Sequence, residues 1–133
     1  MIANQPILKF LGHEISRVVF DKPLGFSHGE FEINFEHLNH VNNENQNIFS
    51  AEIIVNIKSK SEEFNFQIQS VGFFEIIGDA NKVVYDNFLN ISAPTILYPF
   101  IRAFVSNFSL QSGMNPILIP TINFGNRNQK KPD

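Results

Sequence analysis

The chain of 133 residues reads as an α+β domain, a four-stranded antiparallel sheet followed by a short and a long helix. Three observations predict this. Apolar and polar residues alternate through the first half of the chain, the period of half-buried strands. The breaks between those runs are short and polar, so successive strands fold back to give a sheet with one greasy and one wet face. After Gly78 and Asp79 the apolar spacing lengthens to three and four, the period of a helix.

Residues Ile7 to Asp21 are rich in Ile, Val and Phe and are extended in character, with Gly12 a bulge or bend. Pro23, Gly25 and Gly29 mark a loop in which Phe26 is expected to be exposed. From Glu30 the alternation is clear: Phe31, Ile33 and Phe35 share one face, and Glu30, Glu32, Asn34 and Glu36 the other. The Asn-rich stretch His37 to Gln46 reads as a turn or loop. A third strand aligns Phe49, Ala51, Ile53, Val55 and Ile57, with Ile54 the one apolar exception on its polar face. Ser59–Glu63 is a hairpin connection, and Phe64, Phe66 and Ile68 alternate with Asn65, Gln67 and Gln69 on the fourth strand.

Val84, Phe88 and Ile91 predict the short helix. Leu97, Ile101, Phe104 and Phe108 follow a 4-3-4 spacing that predicts the long one, with Arg102 on its opposite side. Pro94 suits its first turn, Gly113 its C-terminal cap, and Pro99 should bend it near the start. Pro116 and Pro120 bracket Ile117-Leu118-Ile119, an extended apolar segment that is not helix interior. Residues 1–125 form one domain, and Asn126–Asp133, with Arg127, Lys130 and Lys131, is a basic polar tail.

Composition narrows the function. Hydrophobic residues make up 43%, a globular figure that argues against disorder. Fifteen Phe stand against no Trp and two Tyr. Each ring lacks a polar atom and gains about 1.5–3 kcal/mol from full burial. Either the core is unusually aromatic, or some rings lie on a surface that receives a partner. A net charge of −3 disfavours nucleic-acid binding. The absence of Cys removes thiol chemistry and fits a cytoplasmic protein. The first ten residues lack the basic and apolar regions of a signal peptide, and no window suggests membrane insertion. Asn90 and Asn107 open Asn-x-Ser triplets, read as chance matches without secretion.

Signs of catalysis are weak throughout. His37 and His40 with Glu36 and Glu44 hint at a metal site, but they fall in the polar stretch without supporting residues. Ser27-His28 lacks a nucleophile elbow, and no GxxxxGK phosphate loop occurs. The expectation is a protein that is not an enzyme and holds neither metal nor cofactor.

Three ordered pieces carry a family resemblance. Ala93-Pro94-Thr95-Ile96-Leu97-Tyr98-Pro99-Phe100-Ile101-Arg102 resembles the helix start of the SecB protein-export chaperones. Ile119-Pro120-Thr121-Ile122-Asn123-Phe124 is similar to that family's closing Pro-apolar-Asn-Phe, with one extra residue after the proline. Gly72-Phe73-Phe74-Glu75-Ile76-Ile77-Gly78 looks like its segment after the fourth strand, and the likeness runs from about Ile7 to Phe124.

The resemblance implies a tetramer built as a dimer of dimers, with helices sandwiched between two sheets. It also implies an ATP-independent chaperone that holds unfolded polypeptides on apolar grooves. Carried over by position, the groove residues are Phe26, Phe31, Ile33, Phe35, Phe100, Phe104, Met114 and Ile117. Ordinary core or interface packing is the competing reading for each. The family docks the translocase motor through acidic residues on the solvent face, where this chain has Arg17 and Gln67. Client holding is therefore better supported than handover to the motor. A chaperone dedicated to one partner, such as an antitoxin, and a carrier of small ligands or lipids are the alternatives.

Overall fold

The structure, a computed structural model, describes residues 5–127. Four strands come first: β1 (Ile7–Asp21), β2 (Phe31–Val41), β3 (Ile48–Ser59) and β4 (Asn65–Ile77). They form one antiparallel sheet in the order β1-β4-β3-β2, so β3 and β4 are central and β1 and β2 are edges. Residues 22–30 must therefore cross three inter-strand gaps, about 14 Å, from one edge to the other.

Gly12 sits at a register shift in β1, between Phe10 and Gly12, with a φ of 129°. The bend expected at this glycine is a β-bulge. β2 runs further than expected. It continues through His37 to Val41, and the turn is confined to residues 42–47. Asn42 Oδ1 accepts from the amides of Glu44 and Asn45, and Asn45 Oδ1 accepts from Asn47. The alternation is masked because two inward positions, His37 and Asn39, are polar; they bond to each other at 2.9 Å.

The helical part also differs in detail. α1 (Lys82–Asn87) and α2 (Ala93–Gln111) are joined head to tail by a π-helical turn, Phe88–Ser92. Asn81 caps α1 by accepting from the amide of Val84. The continuous run Lys82–Gln111 is long and apolar enough to cross a membrane by length and composition alone. Here its buried stripe lies on the sheet.

That stripe is Ala93, Leu97, Ile101 and Val105, a 4-4-4 row, with Pro94, Tyr98 and Ser109 beside it. Phe104 and Phe108 are displaced to the flank and only half buried. At Leu97 the helix comes close to the sheet: a Cβ on Gly72 would meet Phe74 at 3.0 Å and Leu97 at 3.2 Å. Pro99 is accommodated because it lies on the exposed side of α2. Gly113 ends the helix with a φ of 97°.

After the cap the chain returns over the sheet as a non-helical strap, residues 114–120. Four bonds tie it to α2, the first from Met114 N to Ser109 O at 3.3 Å. Ile117 N donates to Ser109 Oγ at 2.9 Å, Arg102 Nε donates to Ile119 O at 3.1 Å, and Tyr98 Oη donates to Pro120 O. Asn115 N also donates to Ser27 O at 2.9 Å, joining strap to crossing loop. A last short helix, α3 (Phe124–Arg127), takes in the first two residues of the expected tail. The rest of that tail lies outside the described residues.

Candidate functional site

The sheet has two faces, set by strand period. On the inner face Phe64, Phe66, Ile68, Val55 and Ile57 are sealed beneath α2 and the strap. Toward both edges this cover thins.

At the β2 flank Phe26, Phe31, Ile33 and Phe35 are half buried against the core. Phe26 is not the exposed loop residue expected. Its ring stacks on Phe64 with centroids 5.2 Å apart, and Phe31 also meets Phe64 at 5.2 Å. The exposed position is Leu24, held at the tip of a turn by Phe26 N donating to Pro23 O. Gly25 has a φ of 87°, as a type II turn requires of its third residue. The Pro-Leu-Gly sequence was the signal for that geometry.

Farther along β2, Phe35 meets Tyr98 at 5.7 Å, and Tyr98 meets Phe124 at 5.9 Å. Beyond them lies a polar inlay, in which Asn39 Nδ2 donates to Asn90 Oδ1 at 3.0 Å. Burial pushes the Tyr98 hydroxyl up to about 12, while the Arg102 guanidinium acts in the opposite sense. It is therefore a hydrogen-bond donor at neutral pH.

Phe100 and Phe104 lie on the other flank, above β1. Phe100 is 42% exposed and forms a stack with His13 at 4.4 Å and Phe10 at 5.6 Å. Phe104 meets Phe108, which packs on Phe20 of β1. His13 and Phe10 were not foreseen, because the bulge at Gly12 sets which β1 residues turn inward.

The eight predicted residues thus fall into three places. Met114 and Ile117, 3% and 5% exposed, belong to the closed core. Along the strap Met114, Ile117 and Ile119 turn in toward the sheet, while Leu118 turns out.

Other candidate chemistry separates. His37 faces inward and His40 outward, where it pairs with Glu52 at 3.0 Å. Among the described residues no three His, Cys, Asp or Glu gather as metal ligands. Ser27 Oγ and His28 Nδ1 lie 3.0 Å apart on an exposed loop. Of the acidic row, Glu30 pairs with Lys60 at 3.0 Å, and Glu32 stands opposite Lys58.

Comparison with known proteins gives a consistent picture. The family model described as preprotein translocase subunit SecB matches residues 13–131. The protein-export protein SecB of Rickettsia akari is 24% identical over 97 residues, 71% of this chain and 63% of that protein. The same protein of Ruegeria pomeroyi is 32% identical over 83 residues, 59% of this chain and 50% of that one. The match thus spans about half to two thirds of these relatives' length. Among solved structures, a SecB-like chaperone of Mycobacterium tuberculosis, in complex with a peptide from the HigA1 antitoxin, superposes with a TM-score of 0.70. It is 11% identical, with 86% of this chain and 87% of that one covered. A protein of unknown function from Streptococcus agalactiae gives 0.52 at 11% identity, covering 90% and 99%. Matched over nearly all its length, and with the four strands and following helix that its sequence implies, the chain belongs to the SecB family.

Proposed function

We propose that this protein is an ATP-independent chaperone that holds unfolded polypeptide on the apolar flanks of α2. One observation carries the reading: rings that would gain from full burial stay half open on both flanks, Phe26, Phe31 and Phe35 along β2, and Phe100 and Phe104 above β1. An unfolded client exposes scattered apolar side chains, and each one covered returns about 25 cal/mol per Å² before ordering costs. Such contacts are non-directional and tolerate many sequences.

The outer edge of β2, which pairs with β3 alone among the described strands, supports the same reading. Asn42 N donates to Ile48 O, so even-numbered residues of β2 face β3. The odd-numbered ones, among them Phe31, Ile33 and Phe35, turn their amides and carbonyls away from β3. An extended client has backbone partners there as well as apolar ones. Several such surfaces on a homotetramer or dimer raise affinity through effective concentration. The reading includes a cytoplasmic location and no covalent chemistry.

A second reading, a chaperone dedicated to one partner such as an antitoxin, also has support. The positions where export chaperones carry acidic motor-docking residues hold Arg17 and Gln67, and the structural neighbour binds an antitoxin peptide. A closed carrier cavity has less support, because three of the hollows among the described residues open to solvent.

The test is suppression of aggregation of several unrelated denatured proteins. Phe31→Ser with Phe35→Ser, and separately Phe100→Ala, are compared with the parent at matched oligomeric state. Both flanks should contribute. Unchanged suppression in every variant would discard the assignment, and suppression confined to one client would favour the dedicated reading.

A further inference from the structure

We propose, resting on the client-holding reading of the flanks, that His13 makes the β1 flank a pH-dependent surface, weak toward apolar segments in acid and strong when its imidazole is neutral. The bulge at Leu11 puts His13 there. Before it the inner-face residues of β1 are Leu8 and Phe10, opposite Ile76 and Phe74. After it they are His13 and Ile15, opposite Gly72 and Ser70. Without the extra residue, Gly12 and Glu14 would turn inward instead. The imidazole lies 4.4 Å from the Phe100 ring and 6.4 Å from the Phe10 ring, within 9° of parallel to the second. His13 and Phe100 are both exposed, so a client side chain laid on the Phe100 ring also covers the imidazole.

Histidine is the side chain whose charge changes between pH 5 and 8, so one proton decides whether this patch is apolar or cationic. Covering a cation strips its water. Ring faces attract a cation, but by less than the hydration lost when no carboxylate replaces it. Among the described residues no carboxylate faces His13. On β1 its inner neighbours Phe10 and Ile15 carry no charge, and Lys9 and Glu14 belong to outer-face rows, beside Glu75 and Val71. From β4 the facing residues are Ser70, Gly72 and Phe74. Of the titratable residues of α2, Tyr98 meets Phe35 of β2 and Arg102 bonds to Ile119 O of the strap. The neutral imidazole is therefore the form that lies under a client, and protonation competes with client binding.

The test is a chemical-shift titration of the full chain with acetyl-Gly-Ser-Phe-Gly-Phe-Ser-Gly-amide, a peptide without titratable groups, at about pH 8 and about pH 5.5. Shifts of Phe100 and Phe104 report the β1 flank. Binding there should be about tenfold weaker in acid, as follows when only a minor neutral fraction is competent. His13→Phe and His13→Gln should each bind with equal affinity at both pH values. His13→Lys should bind as weakly at the higher pH as the parent does at the lower. A parent indifferent to pH would overturn the proposal. So would a loss that persists in His13→Phe and His13→Gln, or one that tracks a change of oligomeric mass in light scattering. If the peptide shifted neither Phe100 nor Phe104 in any variant at the higher pH, the holding reading of this flank would fall first, and the proposal with it.

Discussion

Phe66 and Phe31 face the same side of the same sheet, yet Phe66 on central β4 is sealed and Phe31 on edge strand β2 is half open. Residue type does not explain the difference; position in the strand order does. A central strand is flanked by neighbours that complete the floor beneath α2. An edge strand has one neighbour and lies at the margin of a single helix's cover. The centre therefore supplies stability, and the margins leave apolar surface open.

The sharpest break of that contrast is Phe66→Ala. It should cost about 3–5 kcal/mol in denaturant unfolding, the usual range for a ring removed from a closed core. Phe31→Ala should cost about 1 kcal/mol, because much of its apolar area is already in water. If both variants lost equal stability, the distinction between centre and margin would be wrong. The smaller loss should nonetheless come with the larger fall in client holding.

Tyr98 sharpens the comparison through pH. Its hydroxyl is raised from the ordinary 10 to about 12, so the folded state resists losing that proton. The associated stability is complete below pH 10 and disappears as pH climbs through about 12. Alkaline unfolding should therefore steepen between those values, and Tyr98→Phe should flatten it. Least affected should be Lys60→Ala. Its partner Glu30 is largely in solvent, and exposed pairs contribute about 0–1 kcal/mol. A midpoint shift comparable to that of Phe31→Ala would mean that the wet face matters more than its exposure suggests.

Much of this was legible in the sequence. Composition located β1, alternation located β2, β3 and β4, and the proline and glycine positions placed the ends of α2. What escaped were matters of long-range pairing. No local pattern distinguishes Phe31 on an edge from Phe66 in the centre. The 4-4-4 row that buries Val105 rather than Phe104 is set by how α2 lies across the sheet. His37 and Asn39 disguised half of β2 because their inward polarity is satisfied partly by Asn90, far away in sequence.

The stitching of residues 114–120 to α2 has a mechanical consequence. With Ser109, Arg102 and Tyr98 fastening the two pieces along their length, helix and return segment behave as a single shutter over the floor of the sheet. Such a lid does not peel open one side chain at a time. To admit a bulkier guest it must slide or tilt whole, so widening at the β2 margin would narrow the β1 margin, and the two would compete.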